Sequence, residues 1–257
     1  MLIKNKDLEL LLLNVLGKRY PRYLAQKITD VIMFGELSGN KSHGIVRIVD
    51  GDCSVVNQKP IKFPYIKKIS SISRIIDGNE NSAMLVAHLA MEEAIKIAQK
   101  KKIAIIGTRN TFSTSGCLSY YLNTIAQNDF ISIIFAKSSD RAIHFGGLEK
   151  LYGSNPLAIG IPTNKDPILL DMSTTSMSWG EVLNAKRTKT NLPPQSAIDE
   201  FGNYTLNPAN VFALVPFDRS YKGSGLAMMA EIFAGILTGS SFVNFDKEKG
   251  WGIFFLV

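Results

Sequence analysis

Apolar residues recur along this chain with two different periods, and the change from one to the other organises it. Between residues 6 and 17, and again between 22 and 37, they return every three or four positions, the spacing of one helix face. Pro21 separates these two predicted helices, and Lys18-Arg19 supplies the positive charge that suits a helix C-terminus. Gly39-Asn40 is a breaker, residues 41–50 read as either a helix or a loop, and 54–70, with Pro60 and Pro64, read as extended. Asp77-Gly78-Asn79 is a turn signal. A long helix is predicted from Ser82 to about Lys101, with Leu85, Ala87, Leu89, Met91, Ala94, Ile95 and Ala98 on its core side. The period then shortens. Ile103–Ile106, Phe130–Ala136, Leu157–Ile161 and Ile168–Leu170 are brief β-branched runs that read as buried strands. Helices are predicted over Ser115–Gln127 and Gly225–Leu237, with Gly239 as a stop, and a last strand over Trp251–Val257. No repeat or low-complexity segment interrupts this order.

Length and composition narrow the class. A chain of 257 residues, 46% hydrophobic, has ample material for a core and suits one large domain or two small ones. The net charge of +7 is scattered in short runs such as Lys67-Lys68 and Lys100-Lys101-Lys102. No zinc-finger, basic-zipper or RNP pattern accompanies it, so the reading is solvated surface with no nucleic acid partner. The same field favours an anionic dinucleotide or an organic acid. Cys53 and Cys117 lack ligand spacing for a metal, and two cysteines make no disulfide framework, so a reduced, cytoplasmic setting is expected. Asp7 and Glu9 interrupt any signal-peptide core. Gly223–Phe245, the most membrane-like stretch, carries Glu231 and Asn244 and reads as a buried helix plus loop with no membrane role.

Chemistry concentrates in Ser42-His43-Gly44-Ile45-Val46-Arg47. His43 is a side chain that titrates near neutral pH, and Arg47 is a planar cation suited to carboxylates. Reduction of a 2-oxo acid needs both, a proton for the ketone oxygen and a fixed partner for the acid group. A structural histidine beside a surface arginine is the competing reading. His88, inside the long helix, reads as structural. The G-x-G-x-x-G turn of a Rossmann fold and the Walker A loop are both absent. Other segments offer hydroxyls and backbone N–H groups instead. Asn110–Gly116, containing Thr114, Ser115 and Gly116, lies between a strand and a helix; it suits an anion or an ordinary helix cap. Gly153-Ser154-Asn155-Pro156 precedes a strand, and Asp171-Met172-Ser173-Thr174-Thr175-Ser176 follows one. Lys222-Gly223 pairs a cation with close backbone access.

Taken in order, Ser42-His43-Gly44 with Arg47, Asp77-Gly78-Asn79, Ser115-Gly116 with Tyr120-Tyr121, Phe145-Gly146-Gly147 and Gly153–Ala158 form a pattern. It continues through Leu170–Ser173, Asp199 with Gly202, and Tyr221-Lys222-Gly223. Over nearly its whole length the chain resembles the malate/L-lactate dehydrogenase family, which includes ureidoglycolate dehydrogenase, sulfolactate dehydrogenase, diketogulonate reductase and the piperideine/pyrroline-2-carboxylate reductases. The resemblance implies an α/β (α+β) fold that binds NAD or NADP without a Rossmann motif. It implies a helical region over 1–70 carrying the Ser-His-Gly motif, an NAD(P)-binding domain over 71–257, and a homodimer whose sites form where subunits meet. It further implies His43, assisted by Ser42, in proton transfer or against the nicotinamide, and Arg47 on the carboxylate of a 2-hydroxy or 2-oxo acid. Thr114, Ser115, Gly116, Asn155, Asp171, Met172, Ser173, Thr174, Thr175, Ser176, Lys222 and Gly223 would contact the dinucleotide. Three departures stand out. Thr114 replaces a histidine that many relatives carry, Gly51 replaces a tyrosine, and the family's C-terminal tail is absent after Val257. They leave open a catalytically inactive relative, and a cyclic imino acid is the alternative substrate.

Overall fold

The computed structural model describes residues 3–49, 54–57, 62–243 and 250–257. Cys53, Gly51 and Pro60 lie outside them. The chain opens with α1 (Asn5–Leu16) and α2 (Arg22–Leu37), then a 3₁₀ turn over Lys41–His43 and the short α3 (Val46–Val49). Strands β1 (Tyr65–Lys68) and β2 (Ser73–Asp77) lead into α4 (Ala83–Lys101), β3 (Ile105–Thr111), α5 (Leu118–Ala126) and β4 (Ser132–Ala136). There follow β5 (Ala142–Ile143), β6 (Lys150–Tyr152), β7 (Leu157–Ile161), β8 (Ile168–Met172) and α6 (Trp179–Thr188). The chain then forms β9 (Ala197–Ile198), β10 (Ala213–Leu214), α7 (Tyr221–Ala230) with a π-helical continuation over Glu231–Ile236, and β11 (Trp251–Leu256).

The strands make two sheets, a seven-stranded one in the order β1-β2-β3-β11-β4-β7-β8 and a four-stranded one in the order β6-β5-β10-β9. In the large sheet β2 and β3 run parallel, whereas β11 is antiparallel to both of its neighbours. One core joins the N-terminal helices to this sheet: Leu12, Leu16, Ile28 and Ile32 pack in the same cluster as Met84, Leu85, Ile106, Tyr121, Ile134 and Phe255. A second cluster, with Val182, Leu192, Ala197 and Leu214, fills the space between α6 and the small sheet.

Most predicted elements form close to their expected limits, and the differences have physical causes. Expected to end at Ile106, β3 runs on through Thr108–Thr111, because β2 and β11 pair with it on both sides. The helix expected from Ser115 starts only at Leu118, since Gly116 has φ +76° and turns the chain first. In the stretch expected to be extended, Val55–Asn57 forms a 3₁₀ turn, and among the described residues β1 alone is a strand. β8 is an edge strand rather than a buried one, with Ile168 and Leu170 exposed. The segment expected as a buried helix buries one side, with Gly223, Ser224, Ala227, Ala230, Glu231, Ala234 and Gly235; Met228, Met229, Ile232, Ile236 and Leu237 face outward. No described helix is long and apolar enough to cross a membrane.

The π segment begins at a buried charge. Glu231 is fully buried and pairs with Lys137 Nζ at 3.2 Å. Asn155 Nδ2 donates to Glu231 Oε1 at 2.7 Å and the Val243 N–H to Oε2 at 3.0 Å. Removing one member of such a set strands the other's charge, at a cost of about 3–5 kcal/mol. Glu231→Ala is therefore expected to lower the unfolding free energy in urea by about that amount. A Lys137→Met/Glu231→Leu pair is expected to recover most of it, and equal losses in both variants would count against a buried-charge origin.

Candidate active site

Where the Ser-His-Gly segment meets α6, the first turn of each is held by its own polar groups. Asn40, Ser42 and His43 form a closed network: Ser42 Oγ donates to Asn40 Oδ1 at 2.8 Å, and His43 Nδ1 lies 2.9 Å from Ser42 Oγ and 3.2 Å from Asn40 Oδ1. Asn40 Nδ2 reaches Cys117 Sγ at 3.6 Å, which turns its oxygen towards the ring. A carbonyl oxygen only accepts, so Nδ1 carries the proton and Nε2 is the acceptor nitrogen of the neutral ring. The Ile45 N–H donates to Glu36 Oε2 at 3.2 Å, tying the segment to α2.

Ser178 begins α6 with a capping box, its hydroxyl accepting from the Glu181 N–H at 3.2 Å and Glu181 Oε2 accepting from the Ser178 N–H at 2.6 Å. Gly180 follows, and here the missing side chain matters. A Cβ would sit 2.7 Å from Arg47 Nη2 and 3.0 Å from Ser42 Cβ. Arg47, 7% exposed, is thus packed against the backbone of α6. Gly116 makes the second such contact, since a Cβ there would strike Val31 Cγ1.

These segments enclose a cavity of about 980 Å³. It brings together Ser42, His43, Arg47, Thr114, Ser115, Gly116, Asp171, Met172, Ser173, Thr175 and Ser176 among the residues singled out from the sequence. Asn155 and Thr174 are buried behind the wall: Asn155 holds Glu231, and Thr174 Oγ1 donates to the Ser154 carbonyl at 3.0 Å. Lys222 is exposed on the first turn of α7, and Gly223 is buried against Phe217. Asp171 and Met172 do not follow β8 but end it, paired with Ala158 and Leu157. Asp171 also accepts from the Ser119 N–H at 2.9 Å and Ser119 Oγ at 3.0 Å, which caps α5 from a distance. Burial nevertheless pushes its carboxyl pKa up. Thr114 Oγ1 accepts from the Gly116 N–H at 3.1 Å, an intraloop turn ahead of the helix. His88 is buried against Tyr120, with Nε2 3.3 Å from Glu92.

The sequence reading missed part of the lining: Lys137, Ser138, Ser139, Arg141, Trp179, Phe217–Arg219 and Trp251. Ser138-Ser139 follows a predicted strand with the same small-hydroxyl pattern as Ser173–Ser176, so that signal was available. Among the described residues no group of three or more His, Cys, Asp or Glu could hold a metal.

His43 stands apart electrostatically. Burial, and then the neighbouring Arg47 charge, push its pKa down to about 3. The imidazole is therefore neutral at pH 7.

Fold and cavity define a mixed α/β protein built around a cleft lined by hydroxyl-rich loops, without a Rossmann turn in its sequence. The chain belongs to the malate/L-lactate dehydrogenase family, whose profile matches residues 3–257. It is 34% identical over 223 residues to ureidoglycolate dehydrogenase (NAD(+)) of Escherichia coli K12, covering 85% of this chain and 63% of that protein. It is 34% identical over 244 residues to L-sulfolactate dehydrogenase of Methanocaldococcus jannaschii, covering 92% and 70%. The chain thus spans less than two thirds of the ureidoglycolate dehydrogenase. The solved structure of the M. jannaschii sulfolactate dehydrogenase superposes with a TM-score of 0.83 at 32% identity, over 100% of this chain and 77% of that one. Malate dehydrogenase from Entamoeba histolytica superposes with a TM-score of 0.90 over 99% and 77%; at 23% identity this bears on the fold alone.

A histidine whose pKa is lower in the folded than in the unfolded protein resists protonation, so stability is complete above about pH 6.5 and falls as pH drops towards 3. Between pH 7 and pH 5 this one group costs at most about 2 kcal/mol, less where cavity water reaches the ring. Urea unfolding of the parent and of His43→Gln at the two pH values is expected to show the larger loss in the parent. Equal losses would mean that His43 titrates normally.

Proposed function

We propose that this protein is an NAD(P)-dependent oxidoreductase interconverting a 2-hydroxy acid and a 2-oxo acid. One observation carries the reading: His43, Arg47 and two segments rich in hydroxyl and N–H groups line the same cavity. The family supports it, because relatives are named for ureidoglycolate, malate and sulfolactate. In this reading residues 1–70 supply the substrate motif and 71–257 the dinucleotide site.

The cavity suits the cofactor. Its volume of about 980 Å³ lies at the upper end of small-molecule sites, enough for a dinucleotide beside a small acid. Ser113–Gly116 offers neutral donors that sugar and phosphate oxygens accept from, whereas the hydroxyls of Ser173, Thr174, Thr175 and Ser176 already donate to backbone carbonyls and leave their oxygens as acceptors for sugar hydroxyls. Thr114, Ser115, Gly116, Asp171, Met172, Ser173, Thr175 and Ser176 would hold it directly. Asn155 and Thr174 would act from behind, and Lys222 with Gly223 at the rim beyond Phe217–Arg219. The nicotinamide, when bound, supplies or accepts the hydride.

The chain's own residues do the rest. Arg47, immobilised against Gly180, would hold the substrate carboxylate through its planar fork. His43 Nε2, the acceptor nitrogen, would take the hydroxyl proton during oxidation and return it during reduction, with Ser42 and Asn40 fixing the tautomer. A carboxylate against Arg47 neutralises one of the two influences that depress His43, raising its basicity when substrate is present. Thr114 does not titrate near neutrality, so proton transfer rests on His43.

Turnover is followed by NAD(P)H absorbance with a panel of 2-oxo acids and cyclic imines. His43→Ala is expected to abolish it with the fold intact, and Thr114→Ala to reduce it only mildly. Arg47→Lys should lower kcat/KM about 10-fold or more although charge is kept, because the bidentate fork is lost. An unaffected His43→Ala would overturn the mechanism. An inactive parent that gains activity with Thr114→His would identify a degenerate relative instead.

The exposed apolar row Met228, Met229, Ile232, Ile236 and Leu237 supports a homodimer joined through α7. Light scattering after gel filtration is expected to give twice the chain mass, and the chain mass for Ile232→Glu. An unchanged dimer in that variant would assign the interface to another face. The buried Cys117 thiol suits the reduced cytoplasmic setting read from the sequence.

A further inference from the structure

Two guanidiniums besides Arg47 line the cavity, neither used by the proposed reaction, and one of them, Arg219, is exposed and donates to Gln195 Oε1. The other, Arg141, stands just ahead of β5, and its Cζ lies 4.3 Å from the ring centroid of Trp179. Trp179 is the residue next to Gly180, the one against which Arg47 packs. Consecutive α-carbons are only about 3.8 Å apart, so one helical turn places both guanidiniums. Gly180 does so by having no side chain, Trp179 by offering a ring face. The capping box fixes that turn, and Trp179, Ser178 and Glu181 all face the cavity.

Arg141 is half-buried, and among the described residues it forms no ion pair with a carboxylate. The nearest acid on the same turn, Glu181, is engaged by the Ser178 N–H. Positive charge accumulates around the same indole. Lys186 Nζ lies 5.9 Å from its centroid, while the Lys150 ammonium, whose pKa is pushed down by burial and then by Arg141, sits over the Phe212 ring at 3.9 Å. A cation–π contact alone contributes about 0.5–1 kcal/mol at an exposed site, little reason to gather two cations on one ring with a third beside Arg141. A group that brings its own negative charge would be stabilised there.

We propose that Arg141 binds a second anionic group of the substrate, so that the site selects acids with two negative charges, such as a 2-hydroxy dicarboxylate or sulfonate, over monocarboxylates. Arg47 takes the carboxylate beside the reacting carbon, and Arg141 takes the distal one. This rests on the reading of the cavity as a hydroxy-acid site, but not on turnover. A phosphate of the dinucleotide is the other anion that could reach a guanidinium here. Gly180 brings this turn against Ser42 and Arg47, the segment that carries His43, and that favours the substrate.

The test is binding, by calorimetric titration of the parent and of Arg141→Met with malate, lactate, NADH and NADPH. The parent is expected to bind malate at least 10-fold more tightly than lactate. Arg141→Met should weaken malate binding about 10- to 100-fold, as loss of a charge-assisted pair does, and lactate binding less than 2-fold. Arg141→Lys should recover part of the loss for malate. Equal loss for both acids, no preference in the parent, or weakened NADH or NADPH binding with the malate preference intact would each overturn the proposal. Malate binding that depends on Arg141 in a protein without turnover would uphold it while rejecting the oxidoreductase reading.

Discussion

The strand at the centre of the large sheet is the constraint on which the site depends. β11 pairs with β3 on one side and β4 on the other, antiparallel to both. Without it the β1–β3 half and the β4–β8 half would each expose an edge, and unpaired backbone in a buried position is costly. Phe255 on this strand is fully buried and packs edge-on against Tyr121, 6.1 Å between ring centroids, coupling the sheet to α5. The beginning of the strand matters equally. Thr111 Oγ1 donates to the Trp251 carbonyl at 2.7 Å, and the Lys137 N–H to the Gly252 carbonyl at 3.0 Å. Those bonds set the points at which the loops after β3 and β4 leave the sheet. Both loops line the cavity, as do Trp251 and Ile253.

The second constraint is electrostatic. A half-buried imidazole beside a buried guanidinium is kept neutral, and its tautomer is fixed by Asn40 and Ser42. A permanently charged histidine there would repel Arg47 and lose its acceptor nitrogen. A neutral one costs little and keeps Nε2 able to receive a proton. An anion bound against Arg47 would offset its charge and raise the ring's basicity. Such a site favours the protonation state that chemistry needs after the acid has bound rather than before.

Sequence reading succeeded where period and local chemistry agree. α1, α2 and α4 carry uninterrupted helical spacing, and Leu157–Ile161 forms β7 between its expected limits. It failed where tertiary pairing overrides local pattern. Thr108–Thr111 is polar, yet it is strand because β2 and β11 flank it. The strands of the small sheet are two or three residues long, too short for alternation to register, and α6 has a weakly apolar face. At the site, Ser42, His43 and Arg47 were legible because imidazole and guanidinium are chemically distinctive. Asn40, Lys137, Arg141 and Trp179 were not. Their approach depends on how α6 lies across the Ser-His-Gly segment, and nothing in the local sequence announces that contact.

That contact also explains why the cavity lies where it does. The Ser-His-Gly segment hangs from α2 through Glu36, while α6 packs on the small sheet through Val182 and Ala185. Two separately packed bodies of side chains therefore meet at Ser42, Arg47 and Gly180. Any larger side chain at position 180 would push Arg47 and Ser42 away from α6 and open the wall between the clusters. Charge adds to this steric requirement. Arg47 approaches the first turn of α6, the positive end of the helix dipole, a location that favours anions and disfavours a cation. The Glu181 carboxylate of the capping box lies on that turn and offsets part of the cost. An acid bound between Arg47 and the helix end would offset more, so a negative ligand there would also strengthen the joint that holds the two halves together.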